Sequence, residues 1–411
     1  MKTRIITGEL SDAAEIIKNG GLVAVPTETV YGLAANGLDA SAVERIYEIK
    51  GRPPQKPLSL MVPDAQSMEK YCLDVPPQAA VLAESFWPGP LTIVLRAREI
   101  VPPVVLAGGD TVGLRCPDHP MTLKLLRLAG VPFAAPSANP SGAESPKSAG
   151  RVLEYFSGSI DAVVDGGECG IGRESTIISL AQKPYRILRC GALDEGQIAA
   201  ALARRLRLIG ITGGSGAGKT TALRVLRDMG ALVIDCDEVY HTLLSSGGEM
   251  TAAIAARFPS SVRDGGIDRS LLAPIVFSDE AALADLNKIS HRCVREEVER
   301  RLQSWAMEGG ELAAIDAIEL ISSGLGERCE TVVGVLAGRE RRIERIMRRD
   351  SISAERARAR IDAQRSDEYF REKCDLIVRN DGDEDQFSDK CKKIFTEVLN
   401  RDGRDQKQAF L

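Results

Sequence analysis

The stretch Gly213-Gly214-Ser215-Gly216-Ala217-Gly218-Lys219-Thr220 constrains this chain more than any other. It follows the strand-like run Leu208–Thr212 and precedes the helix-like run Thr221–Met229. Two glycines four residues apart, then lysine and a hydroxyl, set between a strand and a helix, form the pattern of a phosphate-cradling loop. The glycines let successive backbone N–H groups turn inward, and the helix N-terminus adds partial positive charge. Lys219 is expected to reach the β- and γ-phosphates of ATP and the Thr220 hydroxyl to ligate Mg²⁺, with Thr221 closing the nucleotide contact. A loop of this kind belongs at the carboxyl edge of parallel strands, so the surrounding residues are predicted to form a parallel α/β sheet.

Neighbouring segments fit that frame. Ala231–Ile234 reads as a strand running into Asp235-Cys236-Asp237, two carboxylates beside the loop. One of the two can accept a hydroxyl proton and the other can organise a metal shell; the plainer alternative is that Asp237 caps a helix over Glu238–Leu244. Ala313-Ala314-Ile315-Asp316 is a second strand ending in an acid, a Walker-B-like carboxylate. Thr331–Leu336 is a third strand, followed by the arginine-dense helix Arg339–Asp350, whose Arg345 and Arg349 share one face and can clamp phosphates.

The chain divides just before this region. At 411 residues it exceeds one ordinary core. Asp194–Leu202 reads as a capped helix that runs almost without linker into the strand Leu206–Ile211, so domains are expected at 1–205 and 206–411. The polar tail Asn400–Leu411 is expected to fray. Nine scattered cysteines with no Cys-x-x-Cys pair, and only three histidines, speak against a disulfide framework or zinc site and for a reducing, cytoplasmic setting. No apolar run approaches membrane-spanning length. With a net charge of −5 and neither half strongly basic, obligate nucleic-acid binding is disfavoured.

The C-terminal half resembles the dephospho-coenzyme A kinase family along nearly its whole length. The residues that carry the likeness are Thr212–Thr221, Val233–Asp237, Ile267-Asp268-Arg269, His291, Ile315-Asp316-Ala317, Arg345–Asp350, Gln364 and Asn380. The resemblance implies transfer of the ATP γ-phosphoryl group to the ribose 3′-hydroxyl of dephospho-coenzyme A. Asp237 would be the base, and Lys219 and Arg345 the charge stabilisers. Thr220 and Asp235 would hold Mg²⁺ through ATP. The chain departs from the family pattern at Arg292, Ile318, Glu319 and Ser322, positions that bear on the acceptor side.

The first half has no P-loop. It carries polar constellations at strand ends and turns: Pro26–Leu33, Lys50–Leu58, Trp87–Leu95, Thr111–Arg115, Ala135–Gly142, Glu174–Ile178 and Ile187–Arg189. Separated Lys and Arg with Ser and Asn groups can hold a triphosphate by charge-assisted hydrogen bonds from several loops. In this order the set resembles the YrdC-like threonylcarbamoyl-adenylate synthase family from about residue 5 to 192, and implies a twisted open α/β sheet with the site on its concave face. Lys50 and Arg52 with Ser137 and Asn139 are the combination that marks the catalytic branch. The family reaction joins L-threonine, bicarbonate and ATP to give threonylcarbamoyl-adenylate and pyrophosphate, an intermediate used by tRNA-modification proteins. By position Lys50, Arg52, Lys56, Thr111, Ser137, Asn139, Ser145 and Arg189 look like ATP or adenylate contacts, and Thr29, Arg115 and Ser175 like threonine contacts. Met61 stands where some members place a histidine.

The leading reading is therefore a bifunctional enzyme using ATP and Mg²⁺, with no zinc and no tightly bound organic cofactor. The alternative makes the first half an RNA-binding or regulatory module attached to a working kinase. Retention of Lys50, Arg52, Ser137 and Asn139 and the near-neutral charge argue against it.

Overall fold

A computed structural model of the chain describes residues 2–400. Of the tail expected to fray, residues 401–411 lie outside the described part. The chain separates into two compact units, with the division after Arg204 and with Met307–Gly309 grouping with the first.

The first unit is built on one mixed 11-stranded sheet. Its strands are β1 (Arg4–Ile6), β2 (Val23–Val25), β3 (Gly32–Asn36), β4 (Ser59–Met61), β5 (Cys72–Leu73), β6 (Leu91–Ala97), β7 (Thr111–Arg115), β8 (Phe133–Ala134), β9 (Ala162–Val164), β10 (Thr176–Ser179) and β11 (Arg186–Arg189). The order is β1-β9-β2-β3-β8-β4-β7-β6-β10-β11, with β5 on β6. These are short apolar runs punctuated by Gly and Pro, which is why no strand exceeds seven residues. The helix Ser11–Lys18 buries Ala13, Ala14 and Ile17 in a core shared with Val23, Val25, Ala34, Leu125 and Phe133. The helix Ala40–Lys50 starts on the Asp39 side chain, which accepts from the N–H groups of Ser41 and Ala42. It stops at Gly51, whose φ of +57° lies in the left-handed region. That stop fixes Lys50 as its last residue, pointing inward and 4% exposed.

The second unit holds a five-stranded sheet made of β12 (Arg207–Thr212), β13 (Leu232–Asp235), β16 (Leu312–Asp316), β17 (Thr331–Leu336) and β18 (Leu376–Arg379), and a small hairpin of β14 (Val262–Arg263) and β15 (Gly266–Ile267). The sheet order is β13-β16-β12-β17-β18 and every pairing is parallel. Strands buried on both faces need continuous apolar runs, and Leu208–Thr212 and Thr331–Leu336 are buried throughout. Ile209, Ile211, Leu226, Val333, Val335, Phe387 and Phe395 form the core, each worth roughly 1.5–3 kcal/mol on burial. The helices Cys236–Ser245, Glu249–Arg257, Arg269–Ser278 and Glu280–Met307 make a separate apolar cluster through Leu244, Ile254, Leu272 and Cys293. Among the described residues no helix is long and apolar enough to cross a membrane.

Candidate active sites

In the second unit the loop leaves β12 at Gly213 and enters the helix Lys219–Asp228, so helix begins at the lysine, two residues earlier than the sequence suggests. Gly213 has φ +140° and any Cβ there would overlap the Val335 carbonyl; Gly218 has φ +108° and a Cβ there would overlap the Asn380 amide. No other residue type fits either place. The loop is held from behind by side chains far along the chain. The Gln364 amide oxygen accepts from Ser215 N at 2.9 Å and its amide nitrogen donates to Ser215 Oγ at 2.7 Å. Arg342 Nε donates to the Ser215 carbonyl at 2.9 Å, and Asn380 Nδ2 to the Ala217 carbonyl at 2.9 Å. Arg345 donates to the Gly216 and Ala217 carbonyls and to Asn380 Oδ1 at 3.2–3.4 Å. Arg345 thus rests on the carbonyl side of the loop. Arg349 is engaged by Asp350, which also binds Arg360, so the two arginines do not act as one clamp here. Arg342, 6% exposed, is a loop brace that one-dimensional reading could not tell from its five neighbouring arginines.

Sheet order brings three acids together. β13 and β16 pair so that Asp235 stands opposite Asp316, and β12 places Ile211 on the other side of Asp316. Asp235 caps the helix Cys236–Ser245, its Oδ1 accepting from Asp237 N at 2.9 Å and Glu238 N at 3.1 Å. Capping therefore belongs to Asp235 and not, as expected from sequence, to Asp237, because the helix starts one residue earlier, at Cys236; this leaves Asp235 only its other oxygen for a cation, and Asp237 is exposed. Asp316 is enclosed; its Oδ1 makes no hydrogen bond and lies 3.8 Å from Lys219 Nζ. Burial pushes its carboxyl up from 3.8 to about 6, with Lys219 opposing and Asp235 and Asp237 adding to the rise.

Asp237 opens onto a cavity of about 280 Å³, walled mostly by apolar atoms of Tyr240, Leu286, Val294, Ile318 and Leu325, with Asn287, Ser290, His291, Glu319 and Ser323 as further polar points. Ser290 Oγ is buried without a hydrogen bond, and burial holds the His291 imidazole below its usual range despite nearby Glu319. Of the four departures from family pattern, Ile318 and Glu319 line this cavity and Ser322 bonds Glu319. Arg292 does not line it: it is exposed and paired with Glu249 at 2.7 Å. A second, open cleft of about 630 Å³ lies along Arg341, Arg345, Arg348 and the loop Asp381–Asp383.

In the first unit a cavity of about 160 Å³ lies where the ends of β4, β6, β7 and β10 meet the turns after β2 and β8. Arg52, Ser137, Arg115, Ser175 and Arg189 line it, together with Tyr31, Met61, Thr92 and Glu174. Lys50 stands one bond behind, donating to the carbonyls of Ser137 and Asn139. Burial, with Arg52 adding repulsion and Glu174 opposing it, brings Lys50 down to about 8. Asn139 donates to the Pro140 and Ala143 carbonyls, leaving its Oδ1 buried and unpartnered. Arg115 donates to Glu28 and Thr29, both at 2.8 Å, while its Nε is buried without a partner. Arg189 binds Glu174 and Ser175, and Ser145 donates to Glu174 at 3.1 Å. Glu174 ties these groups together and was not singled out from sequence; its adjacency to Ser175 was the available signal.

Two further expected nucleotide contacts, Thr111 and Lys56, are not among the residues that line this cavity. Thr111, at the other end of β7 from Arg115 and paired with Arg96, is not itself a lining residue, although Ser59, in register with Gly113 two residues on, lines the cavity. Lys56 is exposed; its carbonyl accepts from Arg52 and Tyr47, and its N–H donates to the Pro53 carbonyl. Met61 lines the cavity at 4% exposure.

Comparison with known proteins follows the same division. The family model described as "Telomere recombination" (Sua5, YciO and YrdC) matches residues 15–191, and that of dephospho-CoA kinase matches residues 207–386. A threonylcarbamoyl-AMP synthase of Pyrococcus abyssi is 49% identical over 198 residues, 48% of this chain and 58% of that protein. One of Pseudomonas syringae is 35% identical over 182 residues, 44% of this chain and 97% of that protein. A dephospho-CoA kinase of Geobacter sulfurreducens is 32% identical over 192 residues, 46% of this chain and 98% of that protein. The chain thus spans little more than half the length of the longer synthases it matches, 58% and 56% for those of Pyrococcus abyssi and Bacillus subtilis. This chain belongs to two families in succession, threonylcarbamoyl-AMP synthases through its first half and dephospho-CoA kinases through its second.

Proposed function

We propose that the chain is two ATP-consuming enzymes in tandem: a synthase making threonylcarbamoyl-AMP and a kinase phosphorylating the ribose 3′-hydroxyl of dephospho-coenzyme A. The observation that carries this reading is that each unit sets its own cation cluster beside its own acceptor cavity.

In the synthase the carboxylate of L-threonine pairs with Arg115, and Thr29 and Ser175 flank it. The amine is carboxylated by bicarbonate with loss of water; an oxygen of the resulting carbamate attacks the α-phosphorus of ATP, and pyrophosphate leaves. Lys50, Arg52, Ser137, Asn139, Ser145 and Arg189 hold the nucleotide. No covalent nucleophile is required; positioning and offset of developing charge supply the rate. The adenylate then passes to proteins that modify tRNA.

In the kinase the loop Gly213–Thr221 holds the triphosphate, the cleft along Arg341 and Asp381 takes the nucleoside end, and the cavity beside Asp237 takes the acceptor. Asp237 accepts the 3′-hydroxyl proton as the oxygen attacks the γ-phosphorus, and ADP leaves. Lys219 offsets charge on the transferring group. Arg345, bound to the loop carbonyls, needs only to turn toward the phosphates to join it. The orphaned oxygen of Asp316 fits a cation, so Thr220, Asp235 and Asp316 would hold Mg²⁺. The ion supplies neutralisation of phosphate charge.

A split assay tests both halves. Full-length protein with ATP, Mg²⁺, bicarbonate and threonine should release pyrophosphate, and with ATP, Mg²⁺ and dephospho-coenzyme A should yield ADP and coenzyme A. Failure of either arm removes that half of the proposal.

A further inference from the structure

The cavity of the first unit has a floor made of a single row of side chains. In the sheet, β4, β7, β6 and β10 are successive neighbours. Met61 is in register with Arg115, and Thr92 with Ile177. Ile93 pairs with Leu114, so the next step along that antiparallel register sets Thr92 beside Arg115. Residues paired directly across strands stand on one face, about 5 Å apart. Met61, Arg115, Thr92 and Ile177 therefore run side by side, and all four line the cavity.

The row is chemically graded. Met61 is packed in the core cluster that includes Ala34, Phe133 and Ala135, so its thioether is a fixed apolar wall. Arg115 has a buried, unpartnered Nε and can receive a carboxylate. On its other side Thr92 and Ser175, 2% and 4% exposed, bring their hydroxyls within 3.0 Å. Arg189 donates to Ser175 Oγ at 3.2 Å. If Ser175 spends its own proton on Thr92, the Thr92 O–H is left uncommitted, and it makes no other side-chain hydrogen bond among the described residues. A small α-amino acid anchored on Arg115 therefore meets a thioether on one side and a spare hydroxyl donor on the other.

We infer that this row sorts amino acids by their β-substituents, Met61 selecting a β-methyl group and Thr92, held by Ser175, selecting a β-hydroxyl. The inference rests on the synthase reading and deepens it. A side chain lacking the methyl leaves a gap against Met61, and one lacking the hydroxyl leaves the Thr92 proton buried without an acceptor, although its oxygen still accepts from Ser175. Each omission is worth roughly tenfold or more in kcat/KM.

The test follows amino-acid-dependent pyrophosphate release by the whole chain with L-threonine, L-serine (no methyl) and L-2-aminobutyrate (no hydroxyl). The unaltered protein should prefer threonine to each of the others by about tenfold or more. Met61→Ala should shrink the threonine-to-serine ratio about tenfold and spare the threonine-to-aminobutyrate ratio, and Thr92→Val should do the reverse. Met61→Leu, close in volume, should keep both ratios. Ratios that move together, or not at all, overturn the inference alone. So does equal use of serine and threonine by the unaltered protein, a result that needs no variant to fold. Absence of any amino-acid dependence overturns this inference together with the synthase reading.

Discussion

Replacing Asp316 with asparagine separates the stability of the kinase unit from its chemistry. The carboxylate is 14% exposed, its Oδ1 makes no hydrogen bond, and its near counter-charge is Lys219 at 3.8 Å. Its folded value of about 6 lies above the unfolded 3.8. Below about pH 3 the group is protonated in both states and contributes nothing. As pH rises from there to about 6 the unfolded chain ionises first, so the folded state loses stability; above 6 the full penalty stands. A rise from 3.8 to about 6 amounts to roughly 3 kcal/mol. Asparagine removes that penalty but strips Lys219 of its partner, so a net gain of about 1–2 kcal/mol is expected at pH 7.5. The chain has two tryptophans, and Trp305 alone lies in the second unit, so a Trp87→Phe background lets fluorescence in urea follow that unit. In chelator without nucleotide, the variant should unfold at higher urea than its parent at pH 7.5, and the gap should close as pH falls toward about 3. Adding Mg²⁺ and ATP should reverse the order at pH 7.5, because only the parent holds the ion well. Phosphoryl transfer should fall at least about 100-fold. A ligand-free variant less stable than the parent at pH 7.5, or one with full kinase activity, would refute the reasoning.

Three other outcomes are expected. Asp237→Asn should lower kcat for coenzyme A formation by about 10²–10⁴ and leave threonine-dependent pyrophosphate release intact; a loss below threefold would remove Asp237 as the base. Lys219→Met should also spare the synthase, and a collapse of both activities in that variant would show that the two sites are coupled. With Lys50 held down to about 8, the synthase KM for ATP should climb as pH rises through 8, by up to about tenfold per pH unit, since the unliganded lysine loses the proton the triphosphate needs. Lys50→Gln should be weak at every pH between 7 and 9.5, and a parent whose KM is flat over that range would contradict the assignment.

The phosphate loop could be read directly because its glycines, lysine and hydroxyl are contiguous and each has a local reason to be there. The strands and helices around it were legible from apolar period alone, to within one or two residues: a strand foreseen at Leu206–Ile211 runs from Arg207 to Thr212. What stood across the sheet was not. Asp235 and Asp316 each read as an acid at a strand end, and only the order β13-β16-β12 makes them neighbours. Thr111 and Arg115 share one strand, and nothing in five residues says which end reaches the cavity. The first site came by resemblance, because its residues arrive from separate turns and strand ends and are joined by register. Arg342 was lost in a run of arginines because being inside or outside is decided by packing.

The parallel order of the second sheet also sets when it can form. β12 lies between β16 and β17, yet it leaves the ribosome long before either. Until residues 312–336 are made, Leu208, Ile209 and Ile211 have no lateral partners, and both edges of a strand with an apolar centre stand open. The strands of the first sheet are all in place by Arg189. Synthesis therefore pairs a finished neighbour with a long wait, during which the growing chain carries its stickiest segment unprotected. Chains arrested short of Leu336 should be cut by protease within the P-loop at once, and full-length ones should resist; equal resistance would mean that β12 finds cover earlier than the sheet provides it.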